Sequence, residues 1–293
     1  MLNVYAAATL LQVHLAIGIL AYLILEVVRF ALSDSSKELE VAHNILAVDV
    51  GNSRAKFGIF ERADESVRPV AMSVVSLRQQ RDIARKIGEW APQYNVEFCI
   101  AAGSNPPILN QLLDDWPATL PEAKAIRSPK AVPVTLSVDQ PDAVGIDRAL
   151  NALAVSQLYP QQNAIVIDSG TTTTVDVVSA EGVFRGGTIF PGLRLSAYAL
   201  HDYTAKLPLI DVDAQHTDAP HLPGKNTEEA MRAGLFWGQL GAIREIVRQL
   251  SNEHEVAPTL ILTGGGSHLL GPHLTNADCI AGLPLHGLAM LAD

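Results

Sequence analysis

Length, composition and charge narrow the range of functions first. The chain has 293 residues, 48% of them hydrophobic and 18% charged, which is enough apolar material for about two folded domains and excludes a disordered chain. Acidic residues outnumber basic ones by 31 to 21, which argues against nucleic acid as a partner because the phosphate backbone needs a basic face. The two cysteines, Cys99 and Cys279, form no CxxC motif, which excludes a cysteine zinc site and indicates a reducing compartment such as the cytoplasm.

The first 43 residues differ in composition from the rest of the chain. Residues 4–25 carry no charge, and a helix needs about 20 apolar residues to cross a bilayer. Their C-terminal flank carries Arg29 and Lys37, which would leave the following part of the chain in the cytoplasm. Three interpretations stay open: a membrane anchor that gives membrane contact through residues 4–25, a helix that packs on a partner, and a dispensable extension upstream of the true start codon.

From residue 44 onward, short apolar runs alternate with amphipathic runs, which is typical of an α/β fold. In chain order, we predict strands at residues 45–50, 54–60 and 69–75, a helix at 78–90, a strand at 98–101 and a helix at 106–116. Residues 117–133 are predicted to be loop, and a helix follows at 147–158. The remainder is predicted to contain strands at 164–167 and 171–178, a helix at 227–250 and a strand at 259–263. Residues 186–192 are predicted to form either a turn between the subdomains or a backbone segment that lines one wall of the substrate site.

One internal similarity divides this part of the chain in two. NILAVD at residues 44–49 is followed by Gly51, and NAIVID at residues 163–168 is followed by Gly170. Each is a strand that ends in an aspartate, then a glycine and a second strand, so each half is predicted to open with a β-hairpin whose tip carries an acid. We therefore predict an N-terminal segment at residues 1–43 and two similar subdomains at residues 44–149 and 150–293.

Both hairpin tips are suited to binding phosphate. The first, DVGNSRAK from Asp49 to Lys56, offers backbone N–H groups and hydroxyls, and its acid would hold a hydrated divalent ion that bridges phosphate oxygens. The second, DSGTTTT from Asp168 to Thr174, repeats the pattern with hydroxyls. For either loop alone, the alternative is a tight turn in which Asp and Asn are ordinary turn formers. No GxxxxGK[ST] sequence occurs, which excludes a P-loop.

Five segments in this order, DVGNSRAKFG, GIDR, DSGTTTTVD, GGTIFPG and GKNTEEAM, resemble type III pantothenate kinases of the acetate and sugar kinase, Hsp70 and actin superfamily. The resemblance implies an α/β fold of two actin-like (ribonuclease H-like) subdomains with the nucleotide cleft between them, here preceded by an N-terminal apolar helix. It implies phosphorylation of the primary hydroxyl of pantothenate by ATP, the first step of coenzyme A synthesis. It also implies a cytoplasmic homodimer that needs Mg²⁺ and a monovalent cation, K⁺ or NH₄⁺.

The resemblance assigns roles residue by residue. Contacts with ATP are implied for a set formed by the first phosphate loop and one residue of the second: Asp49, Val50, Gly51, Asn52, Ser53, Arg54, Ala55, Lys56 and Thr171. Contacts with pantothenate are implied for Gly145, Ile146, Asp147, Arg148 and Thr227. Asp147 is implied as the proton acceptor and Asp168 as a ligand of the monovalent cation. Val138 stands where the family often has a tyrosine, which leaves the shape of the substrate pocket open.

The chemistry of the residues agrees with these roles. Phosphoryl transfer to a primary alcohol needs a group that accepts the hydroxyl proton, and the carboxylate of Asp147 can do this. From its position alone, Asp147 is equally an N-cap. Arg148 is either a solvated helix residue or a residue whose planar guanidinium group binds the carboxylate of the substrate.

Two other functions stay open at this point. One is another phosphotransferase of the superfamily, such as a sugar kinase or an exopolyphosphatase. The other is a non-catalytic accessory factor for transcription, although the chain keeps both Asp147 and Asp168, which a factor without catalysis would be free to lose.

Overall fold

The computed structural model describes residues 42–63, 66–77, 83–212, 219–252 and 257–292. Strands β1–β10 are His43–Val50, Arg54–Ala63, Ser66–Ser76, Val96–Gly103, Ala123–Ile126, Ala164–Ser169, Thr172–Val178, Phe184–Pro191, Thr259–Thr263 and Ala277–Cys279. Helices α1–α7 are Ile83–Trp90, Pro106–Asp114, Ile146–Leu158, Leu193–Asp202, Thr227–Ser251, Ser267–Leu270 and Leu283–Ala289.

The strands form two 5-stranded sheets with the same topology. The strand order is β3-β2-β1-β4-β5 in the first sheet and β8-β7-β6-β9-β10 in the second. In each sheet, the central strand pairs antiparallel with its hairpin partner and parallel with a later strand, as β1 does with β2 and β4, and β6 with β7 and β9. The α/β class and the duplication that the internal repeat predicts are therefore confirmed. The predicted boundary after residue 149 falls within α3, and this division stays a prediction.

Helices α3 and α7 lie between the two sheets. One face of α3 packs with α7 against Ile45 and Ala47 of β1, and the opposite face packs against Ala164 and Val166 of β6. The outer face of the first sheet is covered by α1 and α2, and the outer face of the second sheet by α5. This layering makes α3 a neighbour of both hairpins.

The C-terminal end of α7 is tied to the first sheet by Arg62 of β2 and by Lys124 of β5, whose Nζ donates to the carbonyl oxygen of Leu291 at 3.2 Å. Arg62 of β2 donates hydrogen bonds to the carbonyl oxygens of Ala289 and Met290, both at 3.1 Å, and to that of Ala292. A cation at this end also interacts favourably with the negative end of the helix dipole.

Two segments predicted without a strand contain one, and the alternative of a turn at residues 186–192 is wrong. Residues 117–133, predicted to be rich in loop, include β5, whose four-residue sequence AKAI is too short for a clear apolar alternation. The segment 186–192 belongs mostly to β8, and its glycines concealed the strand. Gly187 is required there because a side chain would collide with the backbone of Val175 and with Asp176.

Across the described ranges, no helix is long and apolar enough to cross a bilayer. The predicted N-terminal apolar helix, with its membrane contact through residues 4–25, lies outside the described residues. The first turn of the helix predicted at residues 78–90 lies outside them as well.

Candidate active site

The two hairpin acids face the same space because side chains alternate along a strand. Ile45 and Ala47 of β1 point toward α3, so Asp49, at the end of the strand, points the same way. Ala164 and Val166 of β6 also point toward α3, and Asp168 follows them with the same parity. The central layer therefore receives one carboxylate from each sheet.

The third acid comes from the start of α3. Gly145 occupies the N-cap position and Asp147 is the second residue of the helix, so the alternative that Asp147 is the N-cap is wrong. The Oδ1 atom of Asp147 accepts a hydrogen bond from the backbone N–H of Arg148 at 2.9 Å. Asp147, Asp49 and Asp168 together line a cavity of about 360 Å³.

Burial dominates the electrostatics of this cavity. It raises the pKa of Asp49 from its ordinary value of 3.8 to about 6, although Lys56, with Nζ 4.0 Å from Asp49 Oδ2, opposes the rise. Burial and repulsion by Asp168 raise the pKa of Asp147. For Lys56, burial alone would lower the pKa, but the charges of Asp168, Asp49 and Asp147 more than offset this and raise it. Lys56 is therefore a fixed positive charge among carboxylates.

Three loops meet at the cavity and offer donors to phosphate groups. Ser53 Oγ and Thr171 Oγ1, at the two hairpin tips, are hydrogen-bonded to each other at 2.7 Å. The third loop, Gly264–Gly266, lines the same cavity. Gly264 has φ +90 and would bring a side chain to 2.5 Å from Asp168 Oδ1, so only glycine fits this turn. The arrangement brings hydroxyls and backbone N–H groups from both sheets to one point.

The two hairpins differ in the residue that faces the acid. In the first hairpin, Lys56 pairs with Asp49, whereas in the second the residue paired with Asp168 is Thr174. Asp168 instead receives a hydrogen bond from Asn151, whose Nδ2 lies 3.1 Å from Asp168 Oδ2. The cross-strand partner of the second acid is thus neutral, although the charge of Lys56 from the first hairpin also acts on Asp168.

Two buried oxygens at these acids suit cations. Asp49 Oδ1 and Asn151 Oδ1 are both buried and have no hydrogen-bond partner among the described residues. Carboxylate and amide oxygens are the usual ligands of hard cations. Within the described part of the chain, no group of three or more His, Cys, Asp or Glu side chains could hold a metal ion. A divalent ion would therefore need further ligands from the phosphates and from water.

Arg148 does not project into solvent, so the alternative of a solvated helix residue is wrong. Its Nε donates to both carboxylate oxygens of Asp176 at 3.1 Å, and its Nη2 donates to Oδ1. The side chains of Arg148 and Asp176 are 14% and 2% exposed, and the Arg148 guanidinium carbon lies 5.2 Å from the centre of the Phe184 ring. Binding of the substrate carboxylate by Arg148, which lines the cavity, stays a prediction.

The remaining predicted site residues fall into three groups. Gly51, Asn52, Ser53, Arg54 and Thr171 line the cavity with the charged residues named above. The side chains of Val50, Ala55 and Ile146 are buried in hydrophobic clusters, so these residues can meet a ligand only through the backbone. Gly145 and Thr227 lie outside the cavity lining. Thr227 is exposed at the first residue of α5, and Val138 is packed beside Gly186.

Sequence reasoning missed three buried polar residues at this site. They are Asn151, Asp176 and Gln239, whose Nε2 donates to Thr173 Oγ1 of the second hairpin at 2.5 Å. Each stands among apolar neighbours in its helix or strand, and a buried polar side chain needs a partner. A single polar residue among apolar neighbours was therefore the sequence signal that could have identified these three residues.

Two sheets of the same topology, with acid-bearing hairpin tips around one cleft, define an actin-like fold whose cleft is suited to a nucleotide. The family model for type III pantothenate kinases matches residues 45–249, and the chain belongs to this family. A type III pantothenate kinase of Geotalea daltonii is 31% identical over 254 residues, which cover 84% of this chain and 97% of that relative. Another, of Gluconobacter oxydans, is 42% identical over 161 residues, which cover 55% of this chain and 58% of that relative.

A solved structure supports the fold. The ethanolamine utilization protein EutJ from Carboxydothermus hydrogenoformans aligns with a TM-score of 0.50 at 14% identity and covers 87% of this chain and 92% of that chain. At this identity, the likeness shows the fold alone.

Proposed function

We propose that this chain transfers the γ-phosphoryl group of ATP to the primary hydroxyl of pantothenate, forming 4′-phosphopantothenate in the first step of coenzyme A biosynthesis. The observation that carries the proposal is the convergence of Asp147 with both hairpin tips in one cavity. Family membership identifies the substrate pair, since the curated relatives of the chain are type III pantothenate kinases. The reaction consumes ATP, which is consistent with a cytoplasmic location.

In the proposed mechanism, Asp147 accepts the proton of the pantothenate hydroxyl while that oxygen bonds to the γ-phosphorus and the bond from the γ-phosphorus to the β,γ-bridging oxygen breaks, which releases ADP. Burial and repulsion by Asp168 raise the pKa of Asp147, which makes its carboxylate a stronger base than an exposed aspartate. The hydrogen bond from the Arg148 N–H holds Oδ1, so Oδ2 is the oxygen left for the proton. Phosphoryl transfer depends mainly on positioning and charge neutralisation, and the phosphate-binding loops and Lys56 supply both.

Asp49 is the residue we propose for the divalent ion that accompanies ATP. Its Oδ1 is buried without a hydrogen-bond partner among the described residues, which fits a hydrated Mg²⁺. Mg²⁺ would neutralise charge on the phosphate oxygens.

Asp168 is the residue we propose for the monovalent cation. The neutral Thr174 is its cross-strand partner, and the buried Oδ1 of Asn151, without a hydrogen-bond partner among the described residues, supplies a second oxygen ligand, while Lys56 contributes charge from the other hairpin. K⁺ or NH₄⁺ would supply further positive charge between ATP and the carboxylate of pantothenate.

We also propose that the active form is a homodimer with the substrate site near the subunit interface. Thr227, the family's pantothenate contact, is exposed and lies outside the cavity of its own chain. A second subunit is one way to bring Thr227 to a substrate. Sedimentation equilibrium tests this, and a fully active monomer would contradict it.

Transfer of label from γ-phosphate-labelled ATP tests the function. Pantothenate, a panel of sugars and polyphosphate are offered in parallel, with Mg²⁺ and either K⁺ or Na⁺. Labelled phosphopantothenate in K⁺ but not in Na⁺ is expected. Preferential labelling of a sugar, or cleavage of polyphosphate with no transfer to pantothenate, would overturn the proposal.

A further inference from the structure

We infer that Asp176 is a positioning residue for the reaction: it fixes Arg148, and through Arg148 it fixes the carboxylate of Asp147. The inference rests on the proposed function, since Asp147 is there the proton acceptor. Asp176 itself does not line the cavity, so its effect on the reaction must pass through another residue.

Asp176 is held firmly in the second sheet. It lies in the middle of β7, where it pairs with Val166 of β6 and with Gly187 of β8. A side chain at position 187 would collide with the Asp176 carboxylate, so the glycine leaves the room that this group occupies. Asp176 shares its strand face with Val178, which packs in the same cluster as α3. The carboxylate therefore faces the first turn of α3.

The contact with Arg148 fixes the guanidinium group in its plane. Nε and Nη2 together bind the carboxylate, which is the bidentate geometry that restrains an arginine most. The ring of Phe184 lies beside the guanidinium group, with its centre 5.2 Å from the guanidinium carbon. An arginine restrained on two sides in this way has little rotational freedom.

Arg148 passes this restraint to the neighbouring residue. Its backbone N–H donates to Asp147 Oδ1 at 2.9 Å, so the position of the Arg148 backbone sets the direction of the Asp147 carboxylate. On the other side, Gly145 leaves space for the same oxygen, because a side chain there would lie 2.6 Å from Oδ1. The proton acceptor is thereby oriented by a chain of contacts that begins at Asp176.

Stability alone does not account for this ion pair. Both side chains are largely buried, and burial raises the pKa of Asp176 even though Arg148 opposes the rise. Replacing a buried ion pair with apolar residues of similar volume is often neutral or stabilising. A buried pair one residue away from the proton acceptor is instead suited to orientation.

Steady-state kinetics of Asp176→Asn separate positioning from substrate binding. The amide keeps the size of the side chain but loses its charge and one acceptor. Misplacement of a reacting group by about 1 Å costs about 100-fold in rate, so kcat is expected to fall by about 10- to 100-fold. The KM for ATP should stay within about twofold of wild type, whereas the KM for pantothenate can rise as well, since Arg148 is the predicted partner of its carboxylate. A kcat within twofold of wild type, or a change confined to KM, would overturn the inference.

A second variant covers the case in which Asp176→Asn is poorly folded because Arg148 is left unpaired. Arg148→Met combined with Asp176→Leu removes both charges and is expected to regain thermal stability while kcat, measured at saturating pantothenate because Arg148 is also a predicted substrate contact, stays low. A stable double variant with wild-type kcat would show that the pair is only structural. Asp142→Asn is the matched control, since Asp142 lies on the surface in an ion pair with Lys130 at 2.7 Å and should leave kcat unchanged. Wild-type turnover in the same assay tests the proposed function separately.

Discussion

Asp49→Asn is expected to stabilise the ligand-free protein at neutral pH while it removes the activity. Burial raises the pKa of Asp49 to about 6, so the folded protein holds this proton more tightly than the unfolded chain does. The stability due to this group is therefore fully present below about pH 3.8 and is lost as the pH rises through about 6. Asparagine resembles the protonated acid and keeps that stability at every pH.

The size of the effect follows from the two pKa values. A tenfold change in proton affinity is worth about 1.4 kcal/mol, so a rise from 3.8 to about 6 corresponds to about 3 kcal/mol once the acid is fully ionised. Asp49 is only 4% exposed, so solvent screens this cost little. For a protein of this size, about 3 kcal/mol raises the melting temperature by about 6–12 °C.

Thermal unfolding of the ligand-free proteins at pH 8 and pH 4.5 measures this difference. At pH 8 the variant should melt above wild type, and at pH 4.5, where Asp49 is protonated in the folded wild type, most of the gain should vanish. Asp142→Asn, which removes a surface carboxylate, should change the melting temperature little at either pH. The reasoning is refuted if Asp49→Asn is less stable than wild type at pH 8, or if its gain is equal at both pH values.

Three further outcomes are expected. In a label-transfer assay, Asp147→Asn should lower kcat by about 10²–10⁴-fold, while the variant still binds ATP. Near wild-type turnover would remove Asp147 from the mechanism. Thr174→Lys should place a tethered ammonium group opposite Asp168, so activity in Na⁺ alone should approach that in K⁺; persistent K⁺ dependence would contradict this. Arg62→Ala should lower the free energy of unfolding by about 2–3 kcal/mol in urea denaturation because carbonyl groups at the end of α7 lose a charged donor, and an unchanged midpoint would count against it.

The repeated strand–Asp–Gly pattern was enough to predict the hairpin that opens each half, but not the order of the strands in the two sheets. It also identified Asp49 and Asp168, which stand directly after apolar strands and before glycine turns. The strands that were missed, β5, β8 and β10, lack a regular apolar pattern and are formed by pairing with stronger neighbouring strands. Pairing between distant segments overrides local sequence preference in such strands.

The network around Asp147 was harder to predict than the acid itself. The alternation of β7 places Asp176 on the same face as Val178, so a buried carboxylate that needs a partner could be recognised from the sequence. Which partner it has depends on how α3 packs against the second sheet, and Arg148 belongs to a different element. The exposed position of Thr227 likewise depends on how the long helix α5 lies on that sheet.

The duplicated hairpins supply positive charge to their acids in different ways. In each hairpin the acid pairs with one residue of the next strand, which is Lys56 opposite Asp49 in the first and, after a turn one residue shorter, Thr174 opposite Asp168 in the second. A tethered ammonium group is always present, whereas a site built from a carboxylate and the free oxygen of Asn151 has a positive charge only when an ion binds. We therefore expect a requirement for a dissociable monovalent cation at the second hairpin, because its own strands provide no cationic side chain opposite Asp168 and the charge of Lys56 is shared with Asp49 and Asp147.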